Sequence, residues 1–132
     1  MLDQLVQQLE AGRVYGEYRD LEFTPWRGAY AQVHDNAFIH RDPLFLVSHT
    51  VLRGTSAGPR HLAGASRWIN DSWSVLHPHG NGHAYQGYPD PQLADWESAY
   101  YGQHAVRLKA IKTKYDPCGT FRFAQSISPA ES

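Results

Sequence analysis

Cysteine is almost absent from this chain: Cys118 stands alone, which excludes an internal disulfide framework and suits a reducing compartment. Charge of one sign is lacking too, with 12 Lys and Arg against 13 Asp and Glu and a net charge of −1. No field of that size draws in nucleic acid or an anionic membrane. Long hydrophobic runs are missing, since no segment approaches the ~20 apolar residues that cross a bilayer. The amino terminus MLDQLVQQLE has early acidic residues and no continuous apolar stretch, so it does not read as a signal peptide. A cytoplasmic protein with neither nucleic-acid nor membrane partners is expected. Internal repeats and low-complexity tracts are also missing, and 132 residues suffice for a single domain, 1–132, with a loose tail at 128–132.

Aromatics are plentiful: four Trp, eight Tyr and five Phe. Such rings fill cores, and those with polar tips also suit a cleft for a flat organic ligand. Leu2, Leu5, Val6 and Leu9 fall at helical spacing, with Gly12 placed to stop the helix. Residues 19–34 are β-like, and 44–52 (LFLVSHTVL) form the strongest strand. Leu62, Ala65, Ile69, Trp73 and Leu76 mark one face of a helix over 60–76. A strand is expected at 83–88, helices at 93–101 and 103–114, and an extended segment at 121–127. Connections this short argue for an α+β fold with an antiparallel sheet flanked by helices. Tyr101, Leu108, Ile111, Pro117, Phe121 and Phe123 are the expected core beneath the last helix, with Lys109, Lys112 and Lys114 outside.

Several residues invite a chemical reading. His77, His79 and His83 form the one spacing that hints at metal, but Pro78 and two glycines make the segment a loop without a local Cys, Asp or Glu, and no metal is expected. Cys118 has no His at fixed spacing and is not expected to be a nucleophile. Tyr85 and Tyr88 differ by three, so on a regular strand they face opposite ways and only one reaches a ligand. His40 and Arg41 end a buried segment in two hydrogen-bonding groups.

The last quarter, WESAYYGQHAVRLKAIKTKYDPCGTFRFAQSI, resembles the C-terminal signature of the berberine-bridge-enzyme-like FAD-linked oxidases: Trp, Tyr-Tyr-Gly, Arg-Leu, Lys, Tyr-Asp-Pro, Phe and Gln-Ser-Ile in fixed order. Upstream, Asn36-Ala37-Phe38-Ile39-His40-Arg41 and Ala84-Tyr85-Gln86-Gly87-Tyr88 resemble further family segments, so the likeness covers about residues 23–127. It implies the later half of a substrate domain, with the FAD-binding domain missing from these residues or supplied by another chain. It also implies Tyr85 or Tyr88 as catalytic groups, Trp26, Tyr30, His40 and Arg41 at the substrate, and Tyr85, Gly87 and His104 beside FAD. The expected pocket lies between the 85–88 strand and the Trp26–His40 region.

This chain departs from the family pattern where Gly87 and His104 stand in place of Asn, and where Cys118-Gly119 follows Asp-Pro. An amide offers donors and an acceptor in one plane, and glycine offers none. The isolated chain is therefore expected not to retain FAD. Arg107, kept in the pattern, is expected to pair with Asp116 or Asp90. Three functions remain open: an oxidoreductase module working with a FAD-binding subunit, a cofactor-free protein that binds or cyclises a natural-product-like molecule, and a non-catalytic dimerisation module. A small-molecule substrate and a homodimer are expected under the first two.

Overall fold

A computed structural model describes residues 2–32 and 35–130. The side chain of Leu2 and the end of the expected loose tail, residues 131–132, lie outside the described residues. Six helices and strands follow in chain order: α1 (Leu2–Glu10), β1 (Glu17–Pro25), β2 (Phe45–Arg53), α2 (Pro59–Leu76), α3 (Trp96–Tyr101) and α4 (Ala105–Tyr115). Short 3-10 turns occupy Gly28–Ala31, His77–His79 and Gly102–His104. The fold class is α+β with an antiparallel sheet, as expected. Among the described residues no helix is long and apolar enough to cross a membrane. The chain divides into two compact units, one of residues 1–26 and 44–81, the other of 27–43 and 82–132.

In the first unit β1 and β2 pair antiparallel, from Glu17 opposite Arg53 to Pro25 opposite Phe45. Opposite residues share a face, so Arg19, Leu21 and Phe23 lie with Val51, His49 and Val47. The other face carries Asp20, Glu22 and Thr24 against Thr50, Ser48 and Leu46, mostly polar side chains suited to water. Helix α2 packs against α1 and β2. Its buried residues are Ala65, Trp68 and Ser72, whereas Leu62 and Trp73, expected inside, are exposed. The difference is a rotation of the buried stripe onto Trp68, whose indole Nε1–H donates to the Gln8 carbonyl at 2.6 Å. Beneath the sheet His49 Nδ1 and Ser72 Oγ are hydrogen-bonded at 2.9 Å, and burial pushes the His49 imidazole below its usual value.

Arg19 takes the position an apolar residue would normally hold on the inner face. Its guanidinium donates to the carbonyls of Gln8, Leu9 and Ala11, satisfying acceptors that the end of α1 leaves without intrahelical partners. It also pairs with the Glu17 carboxylate and lies over the Trp68 ring, 5.1 Å from its centroid. One polar side chain thus ties α1, β1 and α2 together.

The second unit is built on α3 and α4. Tyr100 is buried; its hydroxyl accepts from Asp90 N–H at 2.9 Å and donates to Gln125 Oε1 at 3.2 Å. Gln125 Nε2 returns to the Asp90 carbonyl at 2.7 Å, closing a ring of bonds that fastens the Gln-Ser-Ile segment. Gly102 ends α3 at a positive φ of 50°, which a side chain would strain. After α4, the Asp116 carboxylate accepts from Thr120 N–H at 2.7 Å and Phe121 N–H at 3.0 Å and from the Lys112 ammonium, which also reaches the Phe121 carbonyl. Lys112 is therefore tucked in, not outside as expected.

Several expectations in this unit are corrected. Residues 83–88 and 121–127 are not strands. Tyr88 N–H donates to the Tyr85 carbonyl at 3.0 Å, so the Tyr-Gln-Gly-Tyr segment closes a turn of the kind Gly favours. The expected core beneath α4 is not assembled either: Phe121 and Phe123 are 80% and 75% exposed, and Ile111 is also exposed. Burial concentrates on Ala99, Tyr100 and Ala105 instead. Arg107 pairs with Asp35, not with Asp116 or Asp90, and both partners face solvent, where such a pair contributes little. Ala130 N–H is tethered to Thr113 Oγ1 at 2.7 Å.

Lys112 and the two backbone donors hold the Asp116 carboxyl at about 2, below its ordinary 3.8, the ammonium being the largest cause. A carboxyl depressed in the folded state contributes stability above its unfolded value and loses it as pH falls through the folded one. Wild-type chain should therefore lose urea resistance between about pH 4 and 2, and Asp116→Asn should flatten that part of the profile. Parallel profiles for the two proteins would show that the Asp116 bonds do not matter to folding.

Candidate functional site

The candidate site lies in the second unit, where the 27–43 segment meets the turn at 83–88. His40 is buried, and its Nε2–H donates to Gln86 Oε1 at 3.2 Å. That bond orients the imidazole ring. Burial lowers the His40 imidazole below its usual value, with the nearby His83 acting in the same direction and Gln86 opposing both. His40 is thus a neutral imidazole of fixed orientation at physiological pH.

Three rings surround it edge-on: Phe38 at 5.2 Å, Tyr85 at 5.9 Å and His83 at 6.1 Å between centroids. Tyr85 meets Tyr88 edge-to-face at 5.6 Å. The opposite-face expectation for the two tyrosines fails because a turn, unlike a strand, does not alternate its side chains. They form one aromatic pair, with Tyr85 half-buried and Tyr88 exposed.

Arg41 is held rather than poised. Its guanidinium donates to the Phe38 carbonyl at 3.2 Å, the Tyr30 carbonyl at 2.9 Å and Asn36 Oδ1 at 2.7 Å. It also covers the Phe38 ring at 4.6 Å, and Tyr30 packs against that ring from 6.1 Å. Arg41 therefore spends three of its five N–H groups on tying Tyr30, Asn36 and Phe38 together.

Beside this cluster is an open cleft of about 480 Å³ lined by Asn36, Phe38, Ile39, Arg41, Asp42, His83, Gly102, Gln103 and His104. It brings His104 and Arg41 together, but Tyr85 and Tyr88 are not among its lining residues, unlike the pocket expected from the sequence. Trp26 belongs to the first unit, where it is buried and its backbone N–H donates to the Leu44 carbonyl at 2.9 Å. Among the described residues no group of three metal-capable side chains gathers; His77 instead stacks on Trp73 at 4.0 Å.

Gln86 and His83 were not singled out from the sequence as partners of His40. Gln86 sits at the variable position of the Tyr-x-Gly-Tyr segment, and spacing groups His83 with His77 and His79. The usable signal was the buried His40 itself, since a buried imidazole needs a partner for its N–H.

Residues 84–128 match the family model described as berberine and berberine like. The chain is 35% identical over 111 residues to an uncharacterized FAD-linked oxidoreductase, YvdP, of Bacillus subtilis (strain 168), covering 82% of this chain and 24% of that protein. It is 33% identical over 98 residues to a chitooligosaccharide oxidase of Gibberella zeae, covering 72% of this chain and 20% of that one. Among solved structures, Physcomitrella patens BBE-like 1 matches with a TM-score of 0.79 and 27% identity, covering 99% of this chain and 27% of its own. The chain thus spans a fifth to about a quarter of the length of these relatives.

Proposed function

The chain belongs to the berberine-bridge-enzyme-like FAD-linked oxidoreductases, and from that membership we propose that it forms the C-terminal, substrate-side part of such an enzyme. FAD is held chiefly by a FAD-binding part outside these 132 residues, on the same polypeptide or a separate subunit. One observation carries the reading: the Tyr85–Tyr88 turn is built against a neutral, oriented His40 in the family's own segment.

The donor set fits the ring end of FAD. A flat isoalloxazine wants an aromatic wall with hydrogen-bonding groups at its edge, and Tyr85, Tyr88 and the His40–Gln86 pair supply both. It does not fit the dinucleotide end, because pyrophosphate asks for backbone N–H cradles or cations, and the 83–88 turn carries no Lys or Arg. When bound, FAD supplies the two-electron oxidation. The residues of this chain hold the substrate's oxidisable group, with Tyr85 Oη and the His40 imidazole as hydrogen-bonding groups within one aromatic cluster. Phe38 and Tyr88 help exclude water. The chitooligosaccharide oxidase relative favours a carbohydrate-like hydroxyl compound as substrate.

The purified chain should be colourless, without a flavin band near ~450 nm, and its exposed Phe121 and Phe123 favour a homodimer by light scattering. Adding the FAD-binding part should restore oxidase activity. Flavin retained by the chain alone, or a complete absence of activity with that part present, would overturn the proposal. A second reading, a cofactor-free binding or cyclising protein, is favoured by Gly87, which lacks the amide of the family pattern.

A further inference from the structure

Gly87 is the one site glycine whose presence its own backbone does not explain. Six other glycines have positive φ, and Gly87 is not among them, so a side chain would be conformationally ordinary there. The obstacle is Tyr85. A Cβ built on Gly87 would fall against the phenol ring, 2.7 Å from Cζ and 3.0 Å from the hydroxyl oxygen. Carbon atoms in ordinary contact sit at about 3.5–4.0 Å, so any side chain at 87 displaces the Tyr85 ring. The ring is meanwhile engaged on its other sides, edge-on to His40 and to Tyr88.

We infer that Gly87 is a positioning residue: by leaving its side-chain volume empty it seats the Tyr85 phenol beside His40, and the polar group presented at position 87 is that phenol's hydroxyl. A carboxamide there would offer two N–H donors and a carbonyl acceptor, whereas the phenol offers one O–H donor and acceptor lone pairs. Toward the substrate's oxidisable group, that hydroxyl suits one hydrogen bond to an alcohol or carbonyl oxygen. The geometry is independent of the flavin reading above; only the consequence for substrate choice rests on it.

The test uses the 132-residue chain and NMR of its aromatic rings. In the wild type, Tyr85 ring protons should show contacts to Gly87 Hα, Tyr88 and His40. Gly87→Ala should abolish the Gly87 and His40 contacts and shift the His40 Hε1 resonance, with the His40 titration midpoint moving as its ring wall opens. Tyr85→Phe should keep the ring contacts. Because Gly87→Ala can simply destabilise the turn, the same substitution is also made in Tyr85→Ala, where no ring stands in the way. There it should be silent in thermal melting and in the His40 shift. Unchanged Tyr85–His40 contacts in Gly87→Ala, or an equal thermal loss in both backgrounds, would overturn the inference. Absence of oxidase activity would leave these signals untouched, so the two proposals fail separately.

Discussion

Replacing Arg19 with alanine should lower the unfolding free energy by about 3–5 kcal/mol, the range seen when one member of a buried ion pair is removed. The side chains of Arg19 and Glu17 are 3% and 5% exposed. Truncation therefore leaves a carboxylate without its partner and takes a donor from the carbonyls of Leu9 and Ala11, while Gln8 keeps the Trp68 indole N–H. The guanidinium also packs on Trp68, so apolar contact is lost along with charge. Against a typical total of 5–15 kcal/mol for a small protein, this change brings the first unit close to unfolding. Urea denaturation followed by tryptophan fluorescence reads it directly. Arg19→Ala with Glu17→Ala should lose less than the sum of the two single variants, since the double change removes the orphaned charge. A single-variant loss below about 1 kcal/mol would mean that solvent, not Arg19, satisfies the end of α1.

Arg19 also shows where the sequence was legible and where it was not. The alternation of Leu21 and Phe23 located a strand, though the β-like stretch expected over 19–34 is Glu17–Pro25 followed by a 3-10 turn at Gly28–Ala31, and the apolar run at 44–52 located its partner. What the pattern could not supply was that the inner face accepts an arginine. That depends on α1, in the same unit, ending with carbonyls within reach of residue 19, a tertiary circumstance. Helices α1, α2 and α4 were legible because their apolar residues recur at helical spacing over two or more turns. The 83–88 segment was misread for the opposite reason. Two tyrosines favour a strand, but Gly87 and Pro89 are turn chemistry, and the local Tyr88 to Tyr85 backbone bond prevailed. Phe121 and Phe123 alternate as strand residues do, yet among the described residues 121–127 joins no ladder. Of the site, the family-like segments brought His40, Arg41, Tyr30, Tyr85 and Tyr88 into one unit. The hydrogen bond between His40 and Gln86 depends on loop conformation, which no spacing encodes.

In the enzyme assembled with its FAD-binding part, Tyr85→Phe should reduce kcat/KM by about a hundredfold, within the range that a positioned proton-transferring or hydrogen-bonding group contributes. Tyr88→Phe should change it by less than about threefold. The asymmetry follows from placement: Tyr85 is half-buried and edge-on to the oriented His40, whereas Tyr88 is 68% exposed and meets only the outer side of Tyr85. A hydroxyl held in a desolvated cluster interacts more strongly than one in water, because the surrounding dielectric is lower. Phenylalanine keeps the ring, so packing against Gly87 survives and the loss isolates the hydroxyl. If Tyr85 acts in the reacting complex, kcat should fall with KM little changed; a rise in KM alone would assign it to substrate binding. Equal kinetics in wild type and Tyr85→Phe, with the loss appearing in Tyr88→Phe, would place the working hydroxyl on the exposed side of the turn and remove His40 from the chemistry.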